Sequence, residues 1–99
     1  MARPPIHPGE IQAEELSEIG VSASELAREI AVPAKRISQI IHGRRAITCD
    51  TALRLGHWFG VSPQFWLNLQ SSYDIRVAQE QVGQEIEKLP VRPHQTMSA

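Results

Sequence analysis

The amino-acid sequence predicts an all-α protein, because three of its patterns are those of helices. Apolar residues recur at intervals of three and four rather than two, which is the spacing of a helix buried along one face. Prolines and small polar residues stand where helices would begin, and glycines stand where they would end. Strand signals are nearly absent. The chain has 99 residues, of which 41% are hydrophobic, so it can close one modest core.

The first helix is predicted from Pro8 to about Ile19. Proline suits the first position of a helix, where its missing N–H would have no partner in any case, and Gly20 ends the helix. The apolar arc of this helix contains Ile11, Leu16 and Ile19. Gln12 falls inside the arc, and a glutamine there lies either at the margin of the core or beside a buried partner.

The second helix is predicted to begin after Ser22. Ser22 and Glu25 have the spacing of a capping box, in which each side chain hydrogen-bonds to the backbone N–H of the other residue. The helix directs Leu26, Ala27 and Ile30 inward. Pro33 ends it, since proline lacks an N–H and crowds the residue before it. A short turn over residues 31–33 therefore precedes the next helix.

The third helix is predicted from about Ala34 to His42, and Gly43 follows as the left-handed residue that ends it. Its inward stripe has the i, i+3, i+4 spacing of one helix face and consists of Ile37, Ile40 and Ile41. Its outward face carries Lys35, Gln39 and His42, with Arg36 and Ser38 on the flanks. The helix therefore presents basic and amide side chains to solvent.

Two further helices complete the predicted fold. Thr48 caps the fourth helix, which ends at Gly60. Its inner arc is Ala52, Leu53, Leu55, Gly56 and Phe59. Ser62 and Pro63 begin the fifth helix as its cap and first residue. The residues expected to finish the core are Phe65, Trp66 and Leu69.

The segment from Leu26 to Gly43 meets the physical requirements of a helix-turn-helix that reads DNA. Two short helices flank a tight turn, and the second helix is apolar beneath and polar outside, as entry into the major groove requires. The side chains predicted to read bases are Ala34, Lys35 and Gln39. Lysine can donate to guanine, glutamine can pair with adenine through two hydrogen bonds, and the alanine methyl suits the methyl group of thymine.

A second group of residues is predicted to contact the DNA backbone, because positions beside the groove-facing side meet phosphates rather than bases. The group consists of Ser22, Arg36, Ser38, His42, Arg44, Arg45 and Thr48, with Arg54 as a further candidate. For any single arginine, an ordinary surface charge explains the sequence equally well.

An apolar stripe continues beyond Tyr73 until Pro90, at helical spacing and among polar residues. It consists of Ile75, Ala78, Val82, Ile86 and Leu89. Such a stripe has to be covered, and the sequence leaves open whether a second copy of the chain, a different partner or the protein's own core covers it. The predicted organisation is a helix-turn-helix DNA-binding domain over residues 6–72, an amphipathic helix for dimer or partner contact over 73–90, and a disordered tail over 91–99.

Charge is unevenly distributed along the chain. The formal net charge at pH 7 is −1, yet residues 26–57 hold six basic and two acidic residues and carry +4, which leaves −5 for the rest. A basic middle suits a face that binds a polyanion. A solvated charged surface would account for the same numbers, so charge alone does not decide the function.

Several segments together resemble a known protein family. Residues 26–43, LAREIAVPAKRISQIIHG, resemble the helix-turn-helix of the phage-repressor-like (XRE) group. Residues 7–11 (HPGEI), 44–48 (RRAIT), 50–55 (DTALRL) and 62–69 (SPQFWLNL) are similar to the HigA/VapI antitoxin branch of that group. The joint occurrence of these segments is more specific than the helix-turn-helix alone.

This resemblance implies a fold, a function and two partners. The implied fold is a five-helix phage-repressor-like helix-turn-helix domain with an extended C-terminal helix. The implied function is that of a homodimer that binds a palindromic operator, represses its own operon and neutralises a HigB-like mRNA-cleaving toxin. Gln12 and Cys49 depart from the pattern of the group, which usually has an aliphatic and a small residue there. Both departures are expected to concern packing, although Cys49 at a helix start could also be a reactive thiol.

Other functions and settings find less support in the sequence. A single cysteine cannot form an internal disulfide, which favours the reducing cytoplasm, and no segment is long and apolar enough to span a membrane. The four histidines, His7, His42, His57 and His94, are scattered. No catalytic set or phosphate loop is visible, so we expect no metal, no cofactor and no enzymatic activity. The remaining alternatives are a stand-alone XRE-type regulator and a protein-interaction module without a toxin partner.

Overall fold

The computed structural model describes residues 5–93 and places five helices in this range. They are α1 (Pro8–Ile19), α2 (Ala23–Glu29), α3 (Ala34–Ile41), α4 (Cys49–Phe59) and α5 (Pro63–Glu87). No strand occurs among these residues, and the predicted all-α class is confirmed. The amphipathic C-terminal segment is the continuation of α5, which runs unbroken through residues 72 and 73. Residues 94–99 of the predicted tail lie outside the described range.

Local hydrogen bonds set the helix boundaries that the sequence predicts. The hydroxyl groups of Ser22, Thr48 and Ser62 each accept from a backbone N–H in the first turn of α2, α4 and α5, which confirms these three caps. Within residues 5–93, only the serine half of the capping box predicted for Ser22 and Glu25 is formed. Gly20 and Gly60 have left-handed φ angles of 69° and 75° at the ends of α1 and α4. Glycine adopts this backbone without the steric penalty that a Cβ would bring.

The start of α1 is capped by His7, to which the sequence analysis assigned no structural role. Nδ1 of His7 accepts from the N–H of Gly9 at 2.9 Å, and the N–H of His7 donates to the carboxylate of Glu10 at 3.2 Å. These bonds form a reciprocal capping box, with histidine in the place usually taken by serine or threonine. Because His7 is buried, the cap is shielded from water.

The core lies where the first four helices meet the first half of α5. Its largest fully buried apolar side chains are Leu26, Ile37, Ile40, Leu55 and Trp66. The predicted inward direction of Ile37 and Ile40 on α3 is thereby confirmed. Helix α1 approaches α3 so closely at Gly9 that a Cβ there would overlap the carbonyl oxygen of Ile40.

Three apolar residues expected in the core are largely exposed, and these expectations were wrong. Ile19 is the last residue of α1 and is 53% exposed. Leu53 is 61% exposed because it lies on the flank of α4, while Thr51 is buried on the inner face. Phe65 is 43% exposed and covers the edge of Trp66, with 5.2 Å between ring centroids. The buried arc of each helix is therefore narrower than its apolar arc.

Gln12 is fully buried, so the alternative that placed it at the margin of the core is wrong. Neither its amide oxygen nor its amide nitrogen has a hydrogen-bond partner among residues 5–93, and the same is true of Nε1 of Trp66. Burial of an amide group without a hydrogen bond costs stability. The glutamine is thus an unfavourable residue at this position of the core.

Candidate nucleic-acid interface

The turn between α2 and α3 is held in one conformation by its backbone. Ala31 has a left-handed φ of 60° although it is not a glycine. The N–H of Val32 donates to the carbonyl oxygen of Ala27 at 3.0 Å, and the Val32 side chain is buried. Pro33 then precedes α3 without a side-chain cap. These features fix the direction in which α3 leaves α2.

The residues predicted to read bases lie together on the outer side of α3. Ala34 and Lys35 are exposed, and Gln39 is half-buried. Ile37 and Ile40 are fully buried on the other side of the helix. Helix α3 is therefore anchored along one face and accessible along the other, which is the arrangement that a helix in the major groove needs.

Asp50, at the beginning of α4, forms ion pairs with two arginines. Its Oδ2 accepts from Nη1 of Arg36 at 2.9 Å and from Nε of Arg54 at 3.1 Å. The hydrogen bond from Arg54 is the main reason why the pKa of Asp50 lies below its usual value; desolvation opposes the shift, and Arg36 adds to it. The ionised carboxylate joins α3 to α4 through Arg36.

Arg54, a candidate for phosphate contact, has a structural role at the end of α2. Its Nη1 donates to the carbonyl oxygen of Ile30 at 2.8 Å and lies 3.4 Å from that of Ala31. A positive charge is favourable beside the last carbonyls of a helix, where the helix dipole is negative. Arg54 thereby supports the helix-turn-helix from α4. Nothing in the sequence indicates this pairing, since the partners are 24 residues apart.

The loop after α3 carries the two exposed arginines Arg44 and Arg45. The N–H of Arg44 donates to the backbone oxygen of Gln39 at 2.8 Å, and Nε of Arg45 donates to the side-chain Oε1 of Gln39 at 3.0 Å. Nδ1 of His42 donates to the carbonyl oxygen of Ser38 at 2.7 Å, which occupies one of the two ring nitrogens of this residue. The loop is therefore held against α3 by hydrogen bonds.

A cleft of about 500 Å³ lies beside Thr48 at the start of α4. Arg36, Arg45 and Arg54 line it together with Asp50, so three cationic groups face one carboxylate. The N-terminal end of a helix adds positive potential from its dipole. An anion such as a phosphate group is the ligand that this charge distribution favours. Ser22 and Ser38, also predicted to contact the DNA backbone, are exposed.

Gln70 on α5 supports the basic loop and was missed by the sequence analysis. It is buried, its Oε1 accepts from the N–H of Ile47 at 2.8 Å, and its Nε2 donates to Asp74 at 3.0 Å. Ile47 immediately precedes the cap of α4. Gln70 therefore holds the end of the loop that contains Arg44 and Arg45.

The apolar stripe of α5 is exposed in the single chain. Ile75, Val82, Ile86 and Leu89 are between 38% and 60% exposed, and Ala78 is exposed as well. Leu89 lies beyond the end of α5 at Glu87, so the helix stops short of the predicted end at Pro90. The alternative in which the stripe folds back onto the protein's own core is therefore wrong. A second copy of the chain or a different partner remains to cover it.

Three features of the described residues concern other kinds of site. Within residues 5–93, no three His, Cys, Asp or Glu side chains are grouped so that they could hold a metal ion. None of the helices in this range combines the length and apolarity needed to cross a membrane. Cys49 is exposed in the first turn of α4, so the expectation that it concerns packing was wrong.

Comparison with known proteins assigns this fold to a family. No family model matches the chain. The structure of an addiction module antidote protein of the HigA family from Coxiella burnetii has a TM-score of 0.88 and 52% sequence identity, and the match covers 93% of this chain and 100% of that one. The chain belongs to the HigA family of antitoxins. The resemblance to HigA/VapI antitoxins and the five-helix fold that it implied are both confirmed.

Two further proteins are similar to this HigA-family chain. Virulence-associated protein I from Dichelobacter nodosus is 49% identical over 78 residues, which is 78% of this chain and 72% of that protein. Pseudomonas aeruginosa antitoxin HigA, in a structure with the higBA promoter, has a TM-score of 0.84 and 42% identity, and the match covers 87% of this chain and 96% of that one. The HigA match thus includes all of the helix-turn-helix and most of α5.

Proposed function

We propose that this HigA-family chain is the antitoxin and self-repressor of a type II toxin-antitoxin module. It binds a palindromic operator as a homodimer, represses its own operon and neutralises a HigB-like mRNA-cleaving toxin. The observation that carries the proposal is the outer face of α3, where Lys35 and Gln39 are accessible while Ile37 and Ile40 anchor the helix. The P. aeruginosa relative with its promoter supports the same assignment.

Three side chains on α3 read the bases. Lys35 donates to O6 or N7 of guanine, Gln39 pairs with adenine, and the methyl group of Ala34 contacts that of thymine. Each good pair of hydrogen bonds discriminates against a wrong base by roughly 1–3 kcal/mol. These contacts specify the operator sequence, and they require α3 to lie in the major groove.

Contacts with phosphates set the position of the protein on the duplex and supply much of its affinity for DNA. Arg44 and Arg45 are exposed beside α3, and the cleft at Thr48 adds the guanidinium group of Arg36. Backbone N–H groups at the helix starts of Ser22 and Thr48, together with Ser38 and His42, complete this set. Because such contacts release counterions, binding weakens as salt concentration rises.

A second copy of the chain covers the exposed stripe on α5. Pairing of two copies removes apolar side chains from water and presents two recognition helices to one duplex. For a dimer on B-form DNA, the two half-sites lie roughly 34 Å apart, or a multiple of this distance. The operator is palindromic because the dimer has twofold symmetry.

The toxin is a small basic nuclease, and the acidic part of the chain suits it. Outside residues 26–57 the chain carries −5, so the surface away from the DNA attracts a basic protein. Since it binds operator DNA, the protein acts in the cytoplasm. Neither function requires enzymatic activity of this chain.

The test uses the full-length protein and the DNA upstream of its own gene. The wild type is expected to retard one palindromic fragment, and the double variant Lys35→Ala/Gln39→Ala is expected to lose this selectivity while its melting temperature stays unchanged. Arg92→Ala/Gln84→Ala removes one cation and one glutamine outside the helix-turn-helix and should bind like the wild type. Selection of the same fragment by the Lys35/Gln39 variant would show that the reading face is assigned wrongly.

The toxin half of the proposal has its own test. The chain is expressed together with the neighbouring reading frame, and a small basic protein is expected to co-purify and to lose its toxicity to the host. Operator binding without such a partner would contradict the antitoxin function and would support a stand-alone regulator.

A further inference from the structure

Arg45 contacts a side chain that is proposed to read a base. Its Nε donates to Oε1 of Gln39 at 3.0 Å. A guanidinium group has donors only, so the atom that it contacts must be the amide oxygen. This chemistry fixes which end of the Gln39 amide faces Arg45, and Nε2 with its two N–H donors is the opposite end.

We propose that Arg45 positions Gln39 and thereby determines base specificity at the operator position that Gln39 contacts. The proposal rests on the DNA-binding function proposed above and deepens it. A free glutamine amide can turn over and exchange its donor and acceptor ends. With Arg45 in place, Nε2 is presented as the donor, and the amide oxygen retains one lone pair after accepting from Arg45.

This orientation selects adenine among the four bases. In the major groove adenine offers N7 as an acceptor and the N6 amino group as a donor. Nε2 of Gln39 donates to N7, and the remaining lone pair of Oε1 accepts from N6. Guanine presents two acceptors, N7 and O6, at the same edge, and its O6 would meet the oxygen of Gln39. Reversal of the amide would remove this discrimination, so Arg45 maintains the preference for adenine by preventing that reversal.

Two further features of the structure suit Arg45 to this role. The N–H of its neighbour Arg44 donates to the backbone oxygen of Gln39 at 2.8 Å, which holds the loop against α3. Arg45 also lines the cationic cleft beside Thr48, where a phosphate is favoured. A phosphate in this cleft would fix Arg45, and contact with the DNA backbone would then stabilise base reading by Gln39.

The experiment compares the sequences that full-length proteins select from random double-stranded DNA. Gln39→Ala identifies the base pair that Gln39 reads, since preference is lost there. Arg45→Lys keeps the positive charge for phosphate but replaces the rigid planar donor group by a flexible ammonium. We expect this variant to retain overall affinity within about threefold and to lose at least about fivefold of the preference for adenine at that one base pair.

Arg92→Lys is the matched control, because Arg92 is an exposed arginine outside the helix-turn-helix; its adenine preference should equal that of the wild type. Undiminished adenine preference in Arg45→Lys, or an equal loss of preference at every base pair, would overturn the proposal. Failure of the wild type to select any sequence would instead overturn the DNA-reading function and, with it, this inference.

A second measurement needs no variant at position 45. Replacing the adenine by 7-deazaadenine removes the N7 acceptor, so wild-type affinity should fall at least about fivefold, whereas that of Gln39→Ala should not change. An unchanged wild-type affinity would contradict the proposed donor role of Nε2.

Discussion

The ring of His7 lies edge-on against the ring of Tyr73, with 4.8 Å between centroids and 72° between planes. Because His7 caps α1 and Tyr73 belongs to α5, this contact joins the first helix to the last. Burial lowers the pKa of His7 below its ordinary value of 6.5, while the charges of Asp74 and Glu10 act in the opposite direction. The fold therefore favours neutral His7, whose Nδ1 can accept the hydrogen bond of the cap.

Acidification is expected to destabilise the protein through His7. Its pKa is lower in the folded chain than in the unfolded chain, so below about pH 6.5 the unfolded chain binds more protons. The stability that neutral His7 contributes is fully present above that pH, and it is lost as the pH falls towards the pKa of His7 in the folded chain. Melting temperatures measured from pH 7.5 to 5 should fall, and those of His7→Asn should fall less, since asparagine can cap a helix but does not titrate. Equal falls in both proteins would contradict this role of His7.

Replacement of Gln12 by methionine is expected to stabilise the fold. Methionine has a similar length and no polar group, so the cost of burying an unbonded amide is removed with little change in volume. The free energy of unfolding should rise by about 1–2 kcal/mol, as measured by urea titration. Gln12→Ala also removes the amide but leaves a cavity, and it should be less stable than Gln12→Met. A less stable methionine variant would show that the amide makes a favourable interaction.

The helix boundaries could be predicted because their signals are local. Ser22, Thr48 and Ser62 mark helix starts through bonds that span two or three residues, and Pro8 marks the start of α1 through its ring. The spacing of the isoleucines alone predicted which face of α3 points towards the core. The helix-turn-helix, and with it the exposed face of α3 that is proposed to read DNA, could therefore be predicted from the sequence.

Contacts between distant residues could not be predicted in the same way. Arg54 supports the end of α2, and Gln70 holds Ile47, across 24 and 23 residues. No spacing rule connects such partners, since the tertiary packing alone brings them together. The exposure of Leu53 has a related cause: an apolar arc shows which side of a helix faces inward, but neighbouring helices decide how much of that side is covered.

Loss of the Gln70 side chain is expected to loosen the basic loop. Gln70→Leu removes the acceptor for the buried N–H of Ile47, which should lower the free energy of unfolding by about 1–3 kcal/mol. Hydrogen exchange should become faster at the amide of Ile47. Gln64→Leu changes an exposed glutamine of the same helix and should leave that amide unaffected. Unchanged exchange at Ile47 in Gln70→Leu would show that the loop does not depend on this bond.

The proposed dimer predicts that a charge in the middle of the α5 stripe separates the two copies. In Val82→Glu a carboxylate would have to be buried against the partner, which is costly without a counter-charge. Light scattering should therefore report a monomer at concentrations where the wild type is a dimer, while helicity is retained because Val82 is not part of the core. Operator affinity should also fall, since the second half-site would have to be filled by an independent molecule.

Gln84→Glu is the matched control for this prediction. It introduces the same charge on α5, but residue 84 lies about 200° around the helix from Val82 and is exposed, so this variant should remain a dimer. If Val82→Glu remained a dimer as well, the stripe could not be the surface that joins the copies. Its exposed isoleucines would then be free for a different partner, and two recognition helices would have to be brought together by another part of the chain.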